Sequence, residues 1–254
     1  MAEGELEFSD DFRGPSLDRS KWLPFYLPHW SSRERTAAHY RTGTDGLTLS
    51  IAPDQPAWCP DIDGPIRVSS IQTGAFAGPL GSPVGQHRFK PGLTVAEEQP
   101  SERLYVPLHG RFEMRARMIL HPGQLAALWM IGFEDEPHRS GEITIMEIFG
   151  DSIDGTSAEL GHGIKAVNDP ALVTDFAAPQ LEFSPAEFHV YAAEWDADGV
   201  AFYFDGDLLR RVAQSPAYPM QFMLNVYELK PGDAPPPMMQ VDWFRGYHLS
   251  STRK

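Results

Sequence analysis

Apolar and polar residues alternate with a period of two along much of this chain. The pattern is clearest at residues 47–51, 111–118 and 200–204. In a strand, successive side chains point to opposite faces, so this alternation predicts half-buried β-strands. Residues 188–195 read the same way and are followed by the turn Asp196-Ala197-Asp198-Gly199. Asp205-Gly206 then marks a hairpin after the next strand. Together these segments predict a meander of antiparallel strands.

No window of helical length keeps an apolar stripe at 3.6-residue spacing, and 23 prolines and 22 glycines interrupt the candidates. Helix is therefore predicted to be minor. Many short strands separated by Gly/Pro turns point to an all-β fold, a two-sheet sandwich or jelly roll curved enough to present a groove. The stretch from Ala52 to Tyr105 departs from this rhythm. It is rich in Pro, Gly, Ser and Gln, with one strand-like piece at Ile66 to Thr73. Loops of such length in a compact domain often serve as cleft walls or lids.

Composition narrows the partners. A formal net charge of −14 disfavours a polyanion such as nucleic acid, and no apolar run approaches the roughly 18 residues of a membrane span. A neutral ligand such as a carbohydrate is easier to accommodate. The polar, acidic start of the chain lacks the pattern of an export signal, which predicts a cytoplasmic location. The single cysteine, Cys59, excludes an internal disulfide and reads as a semi-buried loop thiol.

The candidate chemistry lies in Gly141-Glu142-Ile143-Thr144-Ile145-Met146-Glu147-Ile148-Phe149-Gly150, where two glutamates interrupt an apolar strand. Burying them unpaired would be costly. Positions five apart fall on opposite faces of a regular strand. One β-bulge at Ile145-Met146 would shift the phase and bring Glu142, Thr144 and Glu147 to one face. Two neighbouring carboxylates cannot both ionise cheaply, and such a pair can act as acid and nucleophile in a retaining glycosidase. The alternative reading of the spacing alone is two solvated glutamates on an exposed sheet face.

The segment Glu142-Ile143-Thr144-Ile145-Met146-Glu147 resembles the bulged E-x-D-x-x-E signature of glycoside hydrolase family 16, in its laminarinase-like branch. Other segments agree in order. Phe8-Ser9-Asp10-Asp11-Phe12 with Leu17 to Trp22 resembles the opening strand, and His109 to Arg117 the Y-G-R-F-E-x-R strand. Ala127-Leu128-Trp129-Met130 resembles the strand before the catalytic one. Phe188 to Trp195, Phe202 to Gly206 and Val241 to Arg245 resemble the late strands. The resemblance implies a concanavalin-like β-jelly-roll sandwich of two curved antiparallel sheets with a concave cleft. It implies one domain over residues 1–254 with long cleft loops at about 52–105, longer than the family pattern and expected to reshape the negative subsites.

By the same resemblance Glu142 is the nucleophile, Glu147 the acid/base and Trp129 a stacking platform. Thr144 replaces the family's middle Asp, so the group beside the nucleophile keeps a hydrogen bond but loses its charge, and activity is expected to be weakened or altered. His162 is expected to face the cleft, Trp30, His29 and Arg33 to line one end of it, and Asn225 to lie near it. Ordinary loop packing is the alternative for each of the three end-wall residues. No cofactor is expected for catalysis. A structural calcium ion bound by Asp242 and the Gly46 carbonyl is implied by the resemblance alone, the alternative being that Asp242 caps a strand end.

The function expected is a retaining endo-glycoside hydrolase acting on a β-1,3- or mixed-linkage β-glucan or a related polysaccharide, working as a monomer without nucleic-acid or membrane partners. Two alternatives stand beside it: a non-catalytic carbohydrate-binding protein, and a repurposed cleft acting on a small glycoside or metabolite. A pocket closed by the early loops would favour the last.

Overall fold

The alternating segments form strands in the computed structural model, which describes residues 4–249. In chain order these are β1 (Glu5–Asp10), β2 (His39–Gly43), β3 (Gly46–Ser50), β4 (Arg67–Gln72), β5 (Gly74–Ala75) and β6 (Glu102–Arg103). Then come β7 (Gly110–Ile119), β8 (Gln124–Gly132), β9 (Glu142–Phe149), β10 (Ser157–Glu159), β11 (Gly161–Lys165) and β12 (Asp175–Ala177). The last six are β13 (Gln180–Glu182), β14 (His189–Asp196), β15 (Gly199–Phe204), β16 (Asp207–Val212), β17 (Met220–Glu228) and β18 (Met238–His248). Among the described residues helix is confined to a single α-turn at Pro60–Asp63 and two short 3-10 turns. None of the described helices is long and apolar enough to cross a membrane.

Two large antiparallel sheets face each other. The first runs β16-β15-β14-β7-β18-β3-β2, with β1 also paired to β18, and the second runs β12-β11-β9-β8-β17-β4. Their inner faces supply the core. Phe112, Met114, Ala116 and Met118 of β7 meet the apolar residues Ala126, Leu128 and Met130 of β8 and Phe222, Leu224 and Val226 of β17. This is what period-two alternation dictates, because every second side chain of each strand points into the gap.

The other face of the second sheet is covered too. Ala127, Trp129 and Ile131 of β8 and Met223 of β17 belong to a second cluster with Tyr26, Leu27, Trp30, Trp58, Leu93 and Val95. Both faces of β8 are therefore buried, which explains why its sequence runs apolar without alternation. The long early segment does not stand out as an open loop. It packs onto the sheet, and His29 Nε2 and Trp30 Nε1 of the loop before β2 both reach the Gln86 carbonyl, at 3.0 and 2.8 Å, tying it to that loop.

The predicted hairpin between β15 and β16 is present. Asp205 and Gly206 both have positive φ, 48° and 89°, as a two-residue turn compatible with the right-handed strand twist requires.

Candidate active site

β9 carries the predicted bulge. Across the β8 ladder Leu128 faces Met146 and the next residue, Trp129, faces Thr144, so Ile145 is the extra residue. The β11 ladder agrees, stepping from Gly161–Glu147 to Gly163–Thr144. Ile145 and Met146 consequently both enter the core between the sheets. Glu142 and Glu147 are thereby brought to a common pocket of about 140 Å³, which they line with Trp129, Lys165, Tyr26 and Tyr227. His87 and two residues of β8, Leu125 and Ala127, complete its walls.

Within the pocket, Thr144 donates its hydroxyl hydrogen bond to Glu142 Oε1 at 2.7 Å. The Lys165 ammonium lies 2.9 Å from the same oxygen and 3.2 Å from Glu147 Oε2. The two contacted oxygens thus cannot be more than about 6 Å apart. Burial pushes the Glu147 carboxyl above its ordinary value, reinforced by Glu142 and opposed by Lys165. Burial also works against the charge of Lys165, yet the two carboxylates outweigh it and hold the ammonium above its ordinary value. Gly161, opposite Glu147, is needed without a side chain: a Cβ there would lie 3.1 Å from the Glu147 Cβ and 2.7 Å from the Phe176 ring.

Trp129 lines the pocket but is not an open platform. It is 5% exposed, its indole N–H donates to Asn225 Oδ1 at 2.6 Å, and the His87 ring meets it edge to face at 5.0 Å. Asn225 thus acts by orienting Trp129. His87 is held in the left-handed region, φ 51°, where its backbone N–H donates to Glu134 Oε1 at 2.6 Å. Burial raises the Glu134 carboxyl to about 8.

Four predicted positions lie elsewhere. His162 faces the gap between the sheets, with its Nδ1 2.9 Å from the Leu160 carbonyl and its ring beside Phe202 of β15. The reason is parity: Gly161, Gly163 and Lys165 share the pocket side of β11, so His162 and Ile164 point inward. Trp30 is a member of the loop-covered cluster rather than a cleft wall, and neighbouring His29 is fully buried with it. Arg33 is engaged by Gln99 and Glu102, at 2.7 and 3.0 Å, and does not line the pocket. Cys59 is buried, more so than expected of a loop thiol, with its Sγ 3.6 Å from the Trp30 carbonyl.

Lys165, His87, Tyr26 and Tyr227 were not singled out by sequence as pocket residues. For Lys165 the available signal was the same parity, counted along the short strand after the bulge.

Asp242 and Gly46 are neighbours, as expected, but they do not suit calcium. The Asp242 carboxylate is held by Arg13 and Arg115, each at 2.6 Å, and two guanidiniums on one carboxylate oppose a divalent cation there. Among the described residues no group of three or more His, Cys, Asp or Glu is arranged to hold a metal ion.

Volume alone would have chosen a different site. A cavity of about 520 Å³ lies between β1 and β18, but its acids, Asp10 and Asp11, are occupied by Trp22, Arg13 and backbone N–H groups. Another, of about 480 Å³, is lined by Arg88, Glu134, His138 and Asn168.

Residues 100–245 match the family model described as Glycosyl hydrolases family 16. Among curated proteins the chain is 23% identical over 229 residues to the glucan endo-1,3-beta-glucosidase A1 of Niallia circulans, covering 86% of this chain and 31% of that protein. It is 32% identical over 112 residues to the beta-glucanase of Rhodothermus marinus, covering 41% and 37%. The chain thus spans about a third of the length of the curated relatives it matches.

Among solved structures, the GlcNAcα1-4Gal releasing endo-β-galactosidase from Clostridium perfringens superposes with a TM-score of 0.86 at 30% identity, over 99% of this chain and 64% of that one. The laminarinase from Rhodothermus marinus gives 0.68 at 19% identity, over 99% and 100%, a likeness of fold. The ordered strand motifs, the bulged pair of glutamates and the match over more than half its length lead to one conclusion: the chain belongs to glycosyl hydrolases family 16.

Proposed function

We propose that the chain is a retaining endo-β-glycoside hydrolase with Glu142 as nucleophile and Glu147 as acid and base. The observation that carries this reading is the contact of both carboxyls with one ammonium, which keeps the contacted oxygens within about 6 Å. Retaining enzymes place their carboxyl groups about 5–5.5 Å apart, whereas inverting enzymes need about 6.5–9.5 Å to admit a water molecule.

The roles follow from the surroundings. Thr144 and Lys165 both donate to Oε1 of Glu142, which fixes that carboxyl and leaves Oε2 to attack the anomeric carbon. Glu147, raised by burial, is suited to carry the proton that the leaving oxygen requires.

For the substrate, the 30% identity with the Clostridium endo-β-galactosidase favours a β-galactosidic bond within a glycan chain. A second reading, a β-1,3- or mixed-linkage β-glucan, is supported by the curated glucan-cleaving relatives.

The test is product release from laminarin, lichenan and a glycan ending in GlcNAcα1-4Gal, using the wild type, Glu142→Gln and Glu147→Gln. We expect release from the GlcNAcα1-4Gal glycan, reduced about a thousandfold or more in each variant. Release from laminarin or lichenan alone would establish the glucan reading in its place. Full activity in either variant would overturn the assignment of the pair.

A further inference from the structure

Among the described residues Lys165 is the one member of the acid pair's surroundings that touches both carboxyls, and the proposed reaction gives that contact a meaning. A retaining reaction starts with one negative charge on the pair, on the nucleophile, here Glu142, and one proton, on the acid, here Glu147. In the first step a bond forms between Glu142 Oε2 and the anomeric carbon, the bond to the leaving oxygen breaks, and that oxygen takes the proton from Glu147. Glu142 is now a neutral ester and Glu147 a carboxylate. In the second step Glu147 takes a proton from water, the water oxygen bonds to the anomeric carbon, and the ester bond breaks. The total charge of the pair never changes, but the charge moves from one glutamate to the other.

An ammonium placed 2.9 Å from one carboxyl and 3.2 Å from the other pairs with the charge in both positions without having to move. We propose that Lys165 is a positioning residue that accompanies this charge, aligning Glu142 for attack and then supporting Glu147 as the base of the second step. The inference rests on the reading of Glu142 and Glu147 as a retaining pair.

The geometry that builds it is local. Lys165 stands directly opposite Glu142 in the β11–β9 ladder, and its ammonium lies over the Phe176 ring at 4.8 Å. A cation held against a ring face and two carboxylates has little freedom to swing into solvent. The other titratable groups facing the pair are His87 from the covering segment, Tyr26 from the early loop and Tyr227 on β17, with Asp63 acting at longer range. Burial lowers His87 and raises both tyrosines, which disfavours the charged form of each. Lys165 is therefore the cation at the pair.

The test does not depend on which glycan is cleaved. The carboxyl resonances of carbon-13-labelled glutamate are followed against pH in the wild type, Lys165→Met, Lys165→Gln and Lys165→Arg, with Glu147 assigned from the spectrum of Glu147→Gln. In parallel, fluorinated dinitrophenyl β-galactoside and β-glucoside are used to trap the ester, located by peptide mass spectrometry. We expect Lys165→Met and Lys165→Gln to raise the Glu147 midpoint by about one pH unit or more, and Lys165→Arg to leave it near the wild-type value. Breakdown of the trapped ester should slow about tenfold or more in the two uncharged variants.

An adduct on Glu142 combined with an unmoved Glu147 midpoint, in a variant whose circular dichroism matches the wild type, would overturn the role of Lys165. A moved midpoint without an adduct on Glu142 would instead overturn the retaining reading on which it rests. Should Lys165→Met fail to fold, Lys165→Gln preserves a donor at the position and gives the same comparison.

Discussion

The two large sheets each hold a cluster of charge, and the clusters are built in opposite proportions. Beside β9, two carboxyls share one ammonium. Beside β18, one carboxylate, Asp242, is shared by two guanidiniums. The first arrangement has fewer cations than acids and is partly buried, which raises the Glu147 carboxyl and favours its holding a proton that can be moved. The second sets two guanidiniums on one carboxylate, with Asp11 paired to Arg13 beyond them, and is partly exposed, so Asp242 serves to pin Arg13 and Arg115 to the sheet. Proportion of charge therefore separates a place where chemistry can occur from one that only holds structure. Glu134 extends the series: among the described residues its one hydrogen-bond donor is the His87 backbone N–H, and burial raises it to about 8.

Three substitutions sharpen this series. The largest effect is expected at Glu134. Because its folded value of about 8 lies above the ordinary carboxyl value, its contribution to stability is full at acid pH, below the ordinary value, and is lost as pH climbs through 8. Glu134→Gln can still accept the His87 hydrogen bond through its amide oxygen. Thermal or urea unfolding should find it close to the wild type in acid and more stable by about 3 kcal/mol in mild alkali. An equal difference at both ends of the pH range would mean that Glu134 is not held neutral by burial.

Asp242→Asn comes next. It leaves two guanidiniums facing an uncharged amide, and urea unfolding should show a loss of about 1 kcal/mol, shrinking with added salt. The smallest effect belongs to Arg115→Met, where the Arg13–Asp242 pair survives. A loss of about 0.5 kcal/mol or less is expected from the same measurement. A loss from Arg115→Met as large as that from Asp242→Asn would show that the two arginines depend on one another.

Much of the fold was legible because strand alternation is a local signal. Residues 111–118 alternate in the sequence and in the structure alike, and the piece read at Ile66 to Thr73 is β4 (Arg67–Gln72). The bulge was legible for the same reason: only a phase slip places Glu142 and Glu147 on one face, and Ile145 supplies it. Parity along β11 separates Lys165 from His162, but which of the two faces the pocket was not legible, since that depends on the register of β11 against β9, which is set across strands and not along one. The residues of 52–105 announce a long irregular stretch, but that it packs down over Trp129 follows from contacts between distant segments, such as His29 and Trp30 with Gln86. Asn225 was placed near the cleft by resemblance. Its hydrogen bond to the indole of Trp129 is a relation between β17 and β8 that neither strand reveals alone.

The extra residue in β9 also bears on how such a strand can vary in length. The pairing with β8 already runs from Trp129–Thr144 to Leu128–Met146 as though Ile145 were not there. A chain lacking that residue would have its two glutamates four positions apart, which a regular strand also places on one face. The ladder on either side would keep its partners, and the acids would keep their neighbours. The strand can therefore lose one residue at this point while the distance between its working side chains is conserved, so two sequences of unequal length can present the same pair of carboxyls.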